Sequence, residues 1–205
     1  MNAQTVAEAQ YLLRRRCLEE GRVTLIDRGE FEQTKTYRLQ LPPNRAQVTI
    51  TDATNLFDLP KEITLKQIAD YVVGLMDPSK GDEATYTYGN RMAIQLPIVM
   101  EMLKKTPHTN QAIIEIGLPT DLFLKHLPCL RSIHFTVWDE KLDAVIHMRS
   151  NDLEEAFLLN NYGFAFLHRE VAEYAEIPLG NYHYIGTGTH IYSHSLERIK
   201  SGRHA

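Results

Sequence analysis

Residues 128–175 read PCLRSIHFTVWDEKLDAVIHMRSNDLEEAFLLNNYGFAFLHREVAEYA, and this stretch decides the fold class. Its first part holds two strand-like runs, Leu130–Trp138 and Leu142–Met148. Its second part, from about Leu153 to Ala175, is a long helical segment that Pro178 and Gly180 end. Working upstream, Ala112–Ile116 reads as a strand, and Arg91–Lys105 as a helix made irregular at Pro97 by the lost backbone bond. Thr64-Leu-Lys-Gln67 is a capping box opening a helix through about Met76, with a loop from Asp77 to Thr87 after it. Short β-type runs at Val23–Asp27, Thr36–Leu41 and Gln47–Ile50 are punctuated by Gly29, Pro42 and Pro43. An amphipathic first helix, Val6–Glu20, stops at Gly21. Downstream, a β-type run Tyr182–Tyr192 leads to a short helix, Ser193–Lys200. Grouped strands beside long helices, with no internal repeat, linker or low-complexity tract, predict an α+β fold in a single domain over 1–205.

Composition narrows the function. The 22 Lys and Arg against 26 Asp and Glu leave a formal charge of −4, which disfavours nucleic acid as the main ligand. No apolar run approaches the roughly 18 residues that a membrane span requires. The start, MNAQTVAEAQYLLRRRC, has its arginines after the apolar stretch, the reverse of a secretory signal, so a cytoplasmic protein is expected. Cys17 and Cys129 are too few for a disulfide framework and form no CxxC pair. Cys17 fits a core thiol, and Arg14-Arg15-Arg16 a solvated helix face.

General motif patterns are absent: there is no P-loop, GxGxxG, HExxH or GxSxG. Gly186-Thr-Gly188-Thr-His190 lacks a phosphate-loop lysine and reads more simply as a strand end with tight backbone approach. The nine histidines, His134 and His168 among them, show no metal-ligand spacing, so no metal is expected. Cys129 stands out because it follows Pro128 and opens a strand, a position that exposes a thiol rather than burying it in a packed layer, although for a cysteine taken alone an inert core role is the plainer reading. Twenty residues on, Arg149-Ser150-Asn151-Asp152 sets a cation, a hydroxyl, an amide and a carboxylate in a row. A helix N-cap at Asn151 or Asp152 would explain the amide and the acid but not the arginine.

Together these residues resemble the thymidylate synthases and their nucleotide hydroxymethylase relatives. Pro128-Cys129 is similar to the family's Pro-Cys nucleophile, and Arg149-Ser150-x-Asp152 to its Arg-Ser-x-Asp. Asn160 falls eight residues after that aspartate, as in the family, and His190-x-Tyr192 is similar to its His-x-Tyr. The gaps from Cys129 to Tyr192 need no insertion. In the N-terminal half, Asp27-Arg28 followed by Thr34-Lys-Thr36 is similar to the phosphate loop, and Tyr88-Gly89-Asn90-Arg91 to the Tyr-Gly block. The sequence ends soon after His-x-Tyr, where bacterial members continue in a segment that closes over the folate, so it looks more like the compact archaeal-type or phage-type branch.

The resemblance implies a large mixed sheet flanked by helices, packed against its mate in a homodimer. It implies Cys129 as a nucleophile at C6 of a pyrimidine, with Arg149 favouring the thiolate. Arg28, Arg149 and Ser150 would hold the 5′-phosphate, and Asn160 would read the N3–H and O4 edge of uracil, where an aspartate would suit cytosine better. His190 and Tyr192 would bind the sugar hydroxyl, Tyr88 would sit in the proton-transfer network at C5, and Asp152 would orient the pterin or the base. The substrate is then dUMP and the cosubstrate 5,10-methylenetetrahydrofolate, with no metal. Two alternatives stay open: capture of the same adduct by water to give a 5-hydroxymethyl nucleotide, and a non-catalytic nucleotide-binding member of the family.

Three departures bear on these alternatives. Pro107-His-Thr-Asn-Gln111 stands where the family contributes an arginine pair across the dimer. The catalytic glutamate and folate-contacting tryptophan of the early helix are not recognisable; Asp70 is a candidate replacement, and the sole tryptophan, Trp138, lies elsewhere. Met148 replaces a common glutamine before Arg149.

Overall fold

Thr5 opens the first helix, α1 (Val6–Glu20), by accepting the Glu8 amide on its hydroxyl at 3.1 Å. The helix buries Val6, Ala9, Leu13 and Cys17 on one face, and its three arginines pair with Glu154, Glu19 and Glu20. Cys17 is a core thiol whose pKa burial pushes up to about 12. Gly21 ends the helix where a Cβ would stand 2.3 Å from the Cys17 carbonyl oxygen. The computed structural model describes residues 1–26, 36–56, 59–79 and 86–200.

After β1 (Asn2–Ala3) and α1 come β2 (Arg22–Ile26), β3 (Thr36–Gln40) and β4 (Gln47–Ile50), close to the expected runs. The capping box forms, with the Thr64 hydroxyl and the Gln67 side chain each serving the other's backbone, and opens α2 (Leu65–Met76). The expected helix over Arg91–Lys105 is in fact two, α3 (Tyr88–Met92) and α4 (Gln95–Lys105). The break precedes Pro97, which lies in the first turn of α4, where a missing N–H leaves no intrahelical bond unmade.

The second half contains β5 (Ile113–Glu115), β6 (Leu130–Trp138), β7 (Lys141–Met148), β8 (Asn151–Asp152), α5 (Phe157–Ala175), β9 (Leu179–Gly186), β10 (Thr189–Tyr192) and α6 (Ser193–Lys200). Three expectations are corrected here. Asn151 and Asp152 form a strand rather than a helix cap, so α5 begins at Phe157, not Leu153. Glu176, in the left-handed conformation at φ 60°, ends α5 with its N–H on the Ala172 and Glu173 carbonyls. Gly180 lies inside β9, where a Cβ would be 2.2 Å from Asp143 Oδ1, and is a packing residue rather than a helix stop. The run Tyr182–Tyr192 is split at Thr187-Gly188, and its halves join different sheets.

One mixed sheet has six strands in the order β1-β4-β9-β7-β6-β5; a second has four, β2-β3-β10-β8. The β1–β4 and β7–β9 pairs are parallel, the other pairs of the large sheet antiparallel. Along β6, Leu130, Ile133 and Phe135 are buried, and along β7 Leu142, Ala144, Ile146 and Met148, so this face meets the helices. The opposite face carries Ser132, His134, Thr136, Val145, His147, His183 and Ile185, all half-buried. Helix α5 packs at the centre and is buried nearly all round. Its His168 is a core histidine, with Nε2 2.7 Å from the Leu142 carbonyl oxygen. No helix among the described residues is long and apolar enough to cross a membrane.

Candidate active site

Cys129 lies just ahead of β6, half-buried as its position after Pro128 suggested. The β6–β7 pairing carries Arg149 to it: the Arg149 amide donates to the Cys129 carbonyl at 2.8 Å. The Arg149 guanidinium donates to the carbonyls of Pro128 (3.0 Å) and Leu127 (2.6 Å), so it braces the backbone that presents the thiol. The Arg-Ser-Asn-Asp segment then runs into β8, which lies parallel to β10 with Asn151 opposite Thr189 and Asp152 opposite His190. Gly188 permits this approach, because a Cβ there would meet the Arg149 carbonyl oxygen at 2.4 Å. The Gly186–His190 stretch is thus a tight strand end.

His190 is buried, and its Nδ1 lies 2.7 Å from the Gly188 carbonyl oxygen. That bond requires the proton on Nδ1, which leaves Nε2 as an acceptor. Nε2 is buried with no hydrogen-bond partner among the described residues, and burial holds the ring's pKa down at about 4. The Tyr192 ring meets it edge-on with centroids 4.5 Å apart. Arg38 of β3, which sequence reasoning missed, brings its guanidinium within 3.4 Å of Nδ1.

Tyr88 accepts the Leu130 amide on its hydroxyl at 3.1 Å, which places the phenol one residue from Cys129. Burial first, and then the nearby Cys129 and Tyr86, hold Tyr88 well above the ordinary tyrosine range, so it stays protonated. Asn160, on the first turn of α5, donates from Nδ2 to Asn151 Oδ1 at 3.2 Å and accepts the Tyr71 hydroxyl on Oδ1 at 2.7 Å. Tyr71 was another residue missed in the sequence. Its signal was Gly163, a glycine in mid-helix, where a Cβ would be 2.2 Å from the Tyr71 ring. Asp70, the candidate replacement for the family's glutamate, is not part of the site. It lies on the exposed side of α2 and pairs with Lys66 at 2.5 Å.

The structure therefore brings Cys129 together with Tyr88 and Arg149, and joins Asp152 to His190 and Tyr192 through Ser150, Asn151 and the β8–β10 pairing. Arg28 and the Asp27-Arg28 loop lie outside the described residues, as does part of the 77–87 loop. Residues 107–111 form the turn between α4 and β5 and supply no arginine, and Trp138 is exposed at the end of β6. No group of three metal-ligating side chains occurs among the described residues.

A half-buried cysteine at a strand start, an arginine behind it, and amide, carboxylate and imidazole groups on two paired strands define an α+β protein with a polar site beside a half-buried thiol. The family model described as thymidylate synthase matches residues 54–202, most of the chain, and the chain belongs to that family. It is similar to proteins named "Putative thymidylate synthase" in Methanosarcina mazei and Methanosarcina barkeri, each 26% identical over 143 residues covering 66% of either chain. It is also 29% identical over 108 residues to the thymidylate synthase of Staphylococcus haemolyticus, covering 52% of this chain and 34% of that one. The matched stretch thus spans just under two thirds of the archaeal relatives, and the likeness to them puts the chain on the archaeal-type side of the family.

Asp152 yields a stability prediction. Burial, first of all, raises its pKa from 3.8 to about 6, while the Glu154 amide donates to Oδ1 at 3.1 Å and lowers it. Between about pH 4 and 6 the folded state holds the proton more tightly than the unfolded one, so this group's effect on stability worsens as pH rises through that window. Asp152→Asn keeps an acceptor for Glu154 and removes the charge. It is expected to raise unfolding free energy on the order of 2–3 kcal/mol at pH 8, a gain shrinking towards zero near pH 4. Urea titrations at the two pH values measure it.

Proposed function

We propose that this protein transfers a one-carbon unit from 5,10-methylenetetrahydrofolate to C5 of dUMP, giving dTMP through a covalent bond between Cys129 Sγ and C6. The observation that carries the reading is the convergence of Cys129, Arg149, Asp152 and His190 through two strand pairings, β6–β7 and β8–β10.

The Cys129 thiolate adds at C6, and the electron pair of the 5,6 double bond moves into an enolate spread over C5, C4 and O4. The remaining N–H of Asn160 donates to O4 and stabilises that charge, while its Oδ1 keeps a lone pair for N3–H. The bond from C5 to the one-carbon unit forms, the C5 proton leaves, and the bond from that unit to the folate nitrogen breaks with its electron pair kept on nitrogen; hydride adds to the resulting exocyclic methylene, and the sulfur departs from C6 as the 5,6 double bond is restored. Tyr88, a donor held protonated beside Cys129, orients the proton transfer at C5. His190 Nε2 accepts from the sugar hydroxyl, a partner that fits a buried acceptor lacking one, with Tyr192 on the same side of β10. Arg149, Ser150 and Arg28 hold the phosphate without a cross-dimer arginine pair. Asp152, with a pKa of about 6, can offer either a proton or a lone pair to the pterin amide edge. When bound, the folate supplies the one-carbon unit and, for a methyl product, the hydride.

The half-buried outer face of the large sheet supports a homodimer built on that face. Two free cysteines, one of them the nucleophile, suit a reducing cytoplasm. The test is intact mass after mixing the protein with 5-fluoro-dUMP and methylenetetrahydrofolate, since fluorine at C5 blocks the proton loss that frees the enzyme. A ternary adduct is expected, absent in Cys129→Ala. A folded wild-type protein that forms none would falsify the dUMP reading. With dUMP itself, dihydrofolate and dTMP identify the methyl product, and a 5-hydroxymethyl nucleotide the alternative.

A further inference from the structure

Asn160 faces a choice that its own chemistry does not make. The two ends of a carboxamide are nearly equal in shape, and turning it over exchanges a reader of uracil for a reader of cytosine. Uracil presents a donor at N3 and an acceptor at O4; cytosine presents an acceptor at N3 and a donor at N4. Asn151 does not settle the orientation, because its amide faces the Tyr184 hydroxyl, which can accept or donate according to which way its bond with Thr189 runs, so the Asn151 amide can turn with that of Asn160. The Tyr71 hydroxyl can settle it. It lies 2.7 Å from Asn160 Oδ1, in a half-buried setting where desolvation keeps the phenol protonated and its hydrogen is best served by an acceptor within the protein.

The placement of Tyr71 is built into the packing. Its ring crosses α5 over Gly163, where any Cβ would collide with it, and packs edge-on against Phe164 with centroids 6.1 Å apart. A glycine in mid-helix costs roughly 1 kcal/mol relative to alanine, and here it makes room for this one ring. The hydroxyl is thereby delivered to the amide one turn earlier on α5.

We infer that Tyr71 is the positioning residue that sets base specificity, holding Asn160 Oδ1 towards itself so that the amide presents the orientation complementary to uracil and opposed to cytosine. The inference rests on the proposed role of Asn160 as the base reader. If the amide turns to suit cytosine, its NH2 group faces the phenol and the half-buried Tyr71 hydroxyl loses its acceptor. The penalty falls on the cytosine nucleotide alone.

The test is the pair of dissociation constants for dUMP and dCMP, measured by calorimetry on the full chain and on Tyr71→Phe. That variant keeps the ring over Gly163 and against Phe164, and removes one oxygen. The wild type is expected to prefer dUMP, and the variant to lose roughly tenfold of that preference, the size of one hydrogen bond, chiefly through tighter dCMP binding. A structural role for the hydroxyl would weaken both nucleotides alike and leave their ratio unchanged; that result overturns the inference while dUMP recognition stands. A wild type that binds dCMP as well as dUMP, or binds neither, removes the base-reading role of Asn160 and the inference with it.

Discussion

Cys129→Ser is expected to lower kcat and kcat/KM for dUMP together by roughly 10⁴-fold or more, with the nucleotide dissociation constant nearly unchanged. The substitution exchanges one atom at a half-buried position, so neither packing nor the backbone clamp from Arg149 is disturbed. The binding groups, Asn160 and His190 among them, are untouched. What is lost is the sulfur, a nucleophile that ionises readily, replaced by a hydroxyl that does not, and with it the covalent bond to C6. An interaction made only on the way to the transition state changes kcat without changing ground-state binding. If the serine variant instead lost nucleotide affinity in proportion to its rate, Cys129 would be a binding residue, and the covalent route would have to be abandoned.

Gly188→Val is expected to cost more than about 3 kcal/mol of stability and to remove activity, although residue 188 offers no functional group. A Cβ at this position meets the Arg149 carbonyl oxygen at 2.4 Å, and the obstacle is backbone, which cannot rotate aside as a side chain can. Relief requires β8 to move off β10. That breaks the bond from the Asn151 amide to the Gly188 carbonyl at 3.3 Å and separates Asp152 from His190. For a chain of this length the melting temperature should fall by roughly 6–12 °C. Gly74→Ala is the control, since an added Cβ on this exposed turn of α2 has nothing within 4 Å. It should stabilise by about 0.5–1 kcal/mol through helix propensity. Equal effects at the two glycines would show that the β8–β10 approach is looser than the geometry implies.

Acid sensitivity follows from the two buried histidines. Burial holds both His168 and His190 at about 4, so they stay neutral in the fold while the unfolded chain protonates them near 6.5. Stability should fall as pH drops from about 6.5 to 4, by on the order of 2–3 kcal/mol per ring, with Asp152 opposing part of that loss over the same range. A denaturation midpoint that is flat across this window would mean that water reaches one of the rings.

The local structure was legible where short-range chemistry decides it. The Thr64–Gln67 box fixed the start of α2, the apolar stripe fixed α1, and the β-type runs became β4 and β6 with little change in their ends. The family was legible too, because a cysteine, an arginine, an asparagine and a histidine keep their spacing along the chain whatever the fold does. Expectations failed where a long-range pairing overrode a local signal. Asn151 and Asp152 have the chemistry of a helix cap, but their backbone bonds go to β10, which lies some forty residues away in the chain. Asp70 has the charge sought on the early helix, yet the rotation of α2 against α5 turns it to solvent and its neighbour Tyr71 inward. By itself, then, the sequence determined which reactive groups the protein possesses and which segments fold locally, since both depend on residue type and near neighbours. The tertiary structure alone decided which of those groups meet, and that Tyr71 and Arg38 stand beside them, because a meeting between distant residues depends on backbone pairings and helix rotations that no local pattern encodes.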